Sequence, residues 1–255
     1  MAFQTIINVE LNRVVRNGII FGTKSMLSSL AYYTLVRDTF RTQGNSIVAQ
    51  GQVQYMRHQF EFFGLKMPQW KALTKTMHRE QGLPKDDDLK QLVRLCFQDD
   101  HREMHYFALE TLEKSIQYQA ADFIELLEEL ILTRSWWDTV DWINKLVGQH
   151  FRRYPALIQP VTARWMASEN RWLQRVCMIF QLAYKEKTDA ELLFGFVRRI
   201  ADSKEFFLQK GAGWALRHYS RTNPEGVRKF VENTQLAPLT RREALRLINA
   251  KASQE

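Results

Sequence analysis

Cysteine, proline and glycine are scarce in this chain of 255 residues, at two, six and eleven. Cys96 and Cys177 stand far apart and without metal-ligand spacing, which excludes a disulfide framework and a cysteine-bound zinc, and points to a reducing cytosol. Alternating apolar and polar stretches are also hard to find, so a β architecture is not indicated. No run approaches the roughly 18–20 apolar residues of a membrane span. Near the N-terminus Arg13 and Arg16 precede Ile19, Ile20 and Phe21, but Gly22, Thr23 and Lys24 end that run, so the long apolar stretch of a signal peptide is missing.

Helical periodicity is what the chain has in abundance. Ala120, Phe123, Ile124, Leu127 and Leu130 repeat at steps of three and four, as do Trp172, Val176, Ile179, Phe180 and Ala183, and Leu208, Ala212, Ala215 and Tyr219. Short breaks separate such stretches, at Gly64 to Pro68, Gly82-Leu83-Pro84, Pro155, Asn223-Pro224 and Pro238, and short connections make neighbouring helices antiparallel. From about Leu89 onward the helices fall into pairs of roughly thirty to forty residues, the period of HEAT-type repeats. The expected fold is therefore an all-α, HEAT-like helical repeat solenoid, in which one helix of each pair lines a concave face. A compact irregular bundle is the alternative. Residues 28–255 carry this pattern. Residues 1–27 read as an N-terminal extension, either mobile or upstream of a true start at Met26.

Charge is unevenly placed. The net charge is +8, yet residues 151–255 hold 19 Lys and Arg against 10 Asp and Glu, a balance of +9, while residues 1–150 hold 17 against 18. A basic excess gathered in one part of the chain suits a polyanionic partner, with a solvated basic surface as the plain alternative.

The most informative segment is Ser135-Trp136-Trp137-Asp138-Thr139-Val140-Asp141. Ser135 with Asp138 three residues later predicts a capping box, which gives Asp138 a structural role. Trp136, Val140, Ile143 and Val147 form the core stripe. Trp137 and Asp141 lie one turn apart on another face, continued by Asn144 and Gly148, in a row expected to stay outside the core. Farther on, Arg175 sits at the edge of the Trp172 stripe. Lys210, Trp214 and Arg217 share a face at i, i+4 and i+7, where cations flanking an indole suit a sugar–phosphate backbone. Gly211 and Gly213 lie inside this helical stretch, where glycine costs about 1 kcal/mol relative to alanine, so a close approach of helix or ligand is expected there.

On these residues the chain resembles the AlkD-like family of bacterial DNA alkylation repair glycosylases. The matching stretches are Tyr55-Met56-Arg57-His58-Gln59-Phe60 with Phe63-Gly64-Leu65-Lys66, then Ser135 to Asp141, Trp172 to Arg175 with Gln181 to Lys185, and Gln209-Lys210 with Gly213 to Arg217. The resemblance spans about residues 28–250, and its motifs are specific in combination. It implies helical repeats that cradle duplex DNA on a basic concave face and excise N3- and N7-alkylated purines. It implies a catalytic Asp141, lesion-site tryptophans Trp137 and Trp214, and a site arginine Arg175 expected to hold a phosphate. Lys210 and Arg217 are the expected DNA-binding cations, and neither metal nor other cofactor is implied. Departures are modest: Gly211-Ala212 stands where relatives often carry Ala-Ile, and His218 where they often carry Glu. A monomer in the cytoplasm, associated with the nucleoid, is the matching expectation. The competing expectations are a non-catalytic repeat protein recognising bent or branched DNA, and a HEAT-type scaffold for an acidic protein partner.

Overall fold

A computed structural model describes residues 27–252, which form thirteen α-helices with short 3-10 turns. Among the described residues there is no strand, only an isolated parallel bridge between Glu61 and His101. The N-terminal extension expected over 1–27 lies outside the described residues except for Leu27. The chain divides into two compact units between Ser115 and Ile116.

The first unit contains α1 (Ser29–Gln43), α2 (Ser46–Tyr55), α3 (Met67–Gln81), α4 (Asp86–Gln98) and α5 (Arg102–Ser115). Tyr32, Val36 and Phe40 form the buried stripe of α1, and Tyr32 and Phe40 meet the edge of Phe107 on α5. Two buried carboxylates organise the connections. Asp99, between α4 and α5, accepts from Tyr33 Oη at 2.6 Å, from Arg37 Nε at 2.8 Å and from the His101 backbone at 2.8 Å. The His101 ring, with Nδ1 2.9 Å from Oδ1, lowers its pKa most, and with these donors holds it far below the usual carboxylate range against the cost of burial. Glu103 accepts the backbone N–H groups of Phe63, Gly64 and Leu65 at 3.1, 2.9 and 3.1 Å. The Phe63-Gly64-Leu65 part of the family match is thus a clamped loop. Glu103→Gln places an amide N–H against a donor that needed an acceptor. It should cost about 2 kcal/mol, read as a lowered midpoint in denaturant unfolding; an unchanged midpoint would mean that the loop finds other acceptors.

The second unit contains α6 (Ile124–Leu132), α7 (Trp137–Arg153), α8 (Ile158–Ala167), α9 (Arg171–Ile179), α10 (Ala190–Arg199), α11 (Phe206–Tyr219), α12 (Pro224–Glu232) and α13 (Pro238–Ala252). First helices of successive pairs, counted from α4, begin at 86, 124, 158, 190 and 224, a repeat of 32 to 38 residues. This is the all-α helical repeat that the periodicity predicts. The second helices pack in succession, α7 on α9, α9 on α11 and α11 on α13. Asn170, Asp189 and Asn223 supply the side-chain caps of α9, α10 and α12. The core runs through Val140, Ile143, Val147 and Phe151 to Trp165 and Phe180.

Three local expectations are corrected. Ser135 does not cap α7: Trp136 holds the N-cap position without a side-chain cap, and the Ser135 hydroxyl donates instead to the Ile131 carbonyl at 2.5 Å. A carbonyl left over at the end of α6 takes it first. The stripe from Trp172 overruns its helix, because α9 ends at Ile179 and Ala183 is exposed in the following turn. The row Trp137, Asp141, Asn144, Gly148 leaves the core only at its start. Asn144 and Gly148 are buried, and the Gly148 carbonyl accepts from Tyr184 Oη at 2.7 Å.

Candidate active site

All six candidate residues stand on second helices of successive pairs in the second unit. Trp137 and Asp141 lie on the first turns of α7, Arg175 on α9, and Lys210, Trp214 and Arg217 on α11. The helix-on-helix succession therefore brings together residues from three separate motifs.

Asp141 and Arg175 are joined directly. Arg175 Nε donates to Asp141 Oδ1 at 2.8 Å and Nη2 to Oδ2 at 2.9 Å, a bidentate pair. Arg175 Nη1 donates to the Phe207 carbonyl at 2.6 Å, and its guanidinium carbon lies 5.9 Å from the Trp214 ring centroid. The fork that sequence reasoning reserved for a phosphate is thus occupied by the carboxylate. Side-chain exposure is 6% for Arg175 and 21% for Asp141, so the anion sits on the solvent side of its partner. Burial pushes the Asp141 pKa above its ordinary value, opposed by the Arg175 hydrogen bonds and charge and assisted by nearby Asp138. Both oxygens act as acceptors in this geometry, so the paired form is the carboxylate.

Arg175 is held from behind. Phe207, whose carbonyl it meets, packs its ring against Trp172 at 4.9 Å and Trp136 at 5.3 Å. Trp136, assigned to the core stripe, is half-buried in this aromatic cluster, and its indole N–H has no partner. The two glycines of α11 have separate reasons. A Cβ on Gly211 would come within 3.0 Å of Arg175 Nη1. One on Gly213 would lie 2.5 Å from Glu243 Cβ and 3.0 Å from the Thr240 carbonyl, both on α13. The close approach is by a helix in one case and by the site arginine in the other.

Lys210 and Arg217, expected as open DNA-binding cations, share one partner. Lys210 Nζ donates to Glu243 Oε1 at 2.9 Å, and Arg217 Nη1 donates to Glu243 Oε2. These bonds, Lys210 first, hold the Glu243 carboxylate below its usual range. Beside Arg217, burial and then the charges of Arg221 and Arg217 lower the His218 imidazole. Sequence reasoning missed Glu243 and the Phe207 carbonyl. A backbone carbonyl has no side-chain signature. Glu243 had a faint one, as the acid that interrupts Arg241-Arg242 and Arg246.

Among the described residues no group of three His, Cys, Asp or Glu is placed to hold a metal ion, and no helix is long and apolar enough to cross a membrane. Cys96 and Cys177 are buried free thiols.

The class is set by these findings: an all-α helical repeat with a carboxylate, a guanidinium and an indole gathered on successive second helices. A family model for DNA alkylation repair enzymes matches residues 36–248, and the chain belongs to that family. It is similar to a solved structure described as a predicted DNA alkylation repair enzyme from Enterococcus faecalis. The two are 31% identical, with a TM-score of 0.75, over 80% of this chain and 95% of that one. A search among curated proteins returns no match.

Proposed function

We propose that the protein is a monofunctional DNA glycosylase that hydrolyses the N-glycosidic bond of N3- and N7-alkylated purines in duplex DNA. The observation that carries this reading is the Asp141–Arg175 pair beside Trp214, with its carboxylate on the solvent side. Alkylation at N3 or N7 makes the purine cationic, so it departs with the bonding electron pair and needs no proton from the protein. What remains is to stabilise positive charge on the sugar and to admit water at C1′. Asp141 does the first by electrostatics and accepts the proton that the water sheds. Trp137 and Trp214 offer indole faces to a cationic sugar, each worth on the order of 0.5–2 kcal/mol. Arg175 keeps Asp141 ionised and aimed.

The partner is double-stranded DNA carrying such lesions, engaged by a monomer in the cytoplasm at the nucleoid. The charge excess of residues 151–255 supports a DNA-binding face in this part of the chain.

Incubating the protein with a duplex containing 7-methylguanine, then cleaving abasic sites with alkali, tests the reading. Strand breaks at the lesion are the expected result. Tight binding without breaks would favour the non-catalytic reader of bent or branched DNA, and absence of binding the protein scaffold. Binding to undamaged duplex should weaken with salt by about 0.9 in log–log slope per phosphate neutralised. Lys210→Ala or Arg217→Ala should each lower that slope by less than a full phosphate's worth, because Glu243 already holds both cations. A slope that is flat in wild type would remove the DNA-binding face.

A further inference from the structure

Glu243 is the member of this cluster that neither the motifs nor the proposed chemistry use. Its side chain is 11% exposed, yet both of its oxygens face cations that are more exposed than it is, with Lys210 at 39% and Arg217 at 22% of their side chains. Its place is fixed by backbone. The Gly213 contact brings α11 against α13, and Thr240 Oγ1 donates across the same junction to the Gln209 carbonyl at 3.2 Å. Lys210 and Arg217 are one turn before and one turn after Trp214. A single buried anion therefore spans the two cations that straddle the lesion-site indole.

We propose that Glu243 is a specificity-determining positioning residue, which restrains Lys210 and Arg217 beside Trp214 and offsets their charge toward DNA. This rests on the glycosylase reading above. Two consequences follow from the electrostatics. Intact duplex offers only phosphates, which must compete with Glu243 for both cations, so undamaged DNA is held less tightly than the basic surface alone would allow. The reacting nucleotide is itself cationic, first at the alkylated base and then at the sugar. Two uncompensated cations beside Trp214 would repel it, and the carboxylate beneath them offsets that repulsion. Glu243 thus disfavours binding of undamaged DNA and favours excision of the lesion, by the same charge.

The test is Glu243→Gln, which keeps shape and removes the charge, studied in the full chain. Fluorescence anisotropy with undamaged duplex across a salt series reads affinity. Single-turnover release of 7-methylguanine at saturating protein reads rate. Removing one charge at this range should tighten undamaged DNA binding about fivefold, steepen its salt dependence and slow excision by a similar factor. A substitution that merely loosened the α11–α13 junction would weaken both. Glu243→Asp should recover much of the wild-type behaviour, and Glu243→Gln should add no affinity in a Lys210→Gln, Arg217→Gln background. Unchanged or weaker binding of undamaged DNA by Glu243→Gln overturns the proposal. Wild-type protein that binds but never excises sinks the glycosylase reading, and the affinity series then decides the restraint of the cations on its own.

Discussion

Asp141→Asn is expected to reduce single-turnover excision of 7-methylguanine about a hundredfold, roughly 2.7 kcal/mol of transition-state stabilisation. The side chain keeps its shape, so the loss isolates charge. In the folded protein both carboxylate oxygens accept from Arg175, and an amide provides one acceptor and one donor in their place. One arginine N–H is then released from its contact. Affinity for DNA should stay the same or rise, because a negative charge facing phosphate is gone and an arginine donor is freed. Loss of rate with retained binding is the signature of an interaction made mainly in the transition state. Asp138→Asn is the comparison. Asp138 stands in the first turn of α7, where a carboxylate favours the helix N-terminus, and its charge raises the pKa of Asp141. Its removal should cost a little stability and change the rate far less. Wild-type excision by Asp141→Asn together with a dead Asp138→Asn would move the catalytic role one turn back along the helix.

The helices were legible because apolar spacing and helical burial share one period. The stripes through Val140, Ile143 and Val147, and through Leu208, Ala212 and Ala215, are buried as their spacing predicts. Helix ends were less legible. Ser135 has the residue type and spacing of a cap, but a carbonyl at the end of α6 claims its hydroxyl, and that competition depends on where the preceding helix stops. Periodicity also continued past Ile179 to Ala183, since Phe180 stays buried just beyond the helix while Ala183 is apolar by type and exposed.

The candidate site was legible as a set of residues and not as a set of contacts. Trp137 with Asp141, and Lys210 with Trp214 and Arg217, are local spacings that a sequence displays. Which anion meets which cation is decided between helices that lie some thirty residues apart in the chain. Arg175 was assigned to a phosphate and instead closes on Asp141. Lys210 and Arg217 were taken as open and instead converge on Glu243. In each case the cation finds an internal carboxylate, because a partly buried charge is costly until it is paired.

Arg175→Met carries that argument to its largest consequence. The methionine retains length and apolar bulk beneath Trp214, and it leaves Asp141 partly buried without its counter-charge. Breaking one side of a buried pair costs about 3–5 kcal/mol when the remaining ion cannot escape. Asp141 can escape in part by taking up a proton, so the measured loss should fall at or below the bottom of that range at neutral pH. Its dependence on pH has a definite sign. In the wild type, burial raises the Asp141 pKa and Arg175 opposes the rise. Without Arg175 the folded-state value moves higher still above that of the unfolded chain. The protonated form is then the one the fold tolerates, so the variant should be closest to wild type in acid. Its deficit should grow as pH rises through the folded-state value, and level off above it. Thermal melts of both proteins across that interval read the difference. Excision runs the other way, since it needs the carboxylate: the acid limb of the single-turnover rate should shift to higher pH in Arg175→Met, with a lower plateau because the charge is no longer aimed. Arg175→Lys should fall between the two, as an ammonium restores the charge but not the two-pronged contact. An acid limb that does not move in Arg175→Met would mean that the group titrating in the rate is not Asp141.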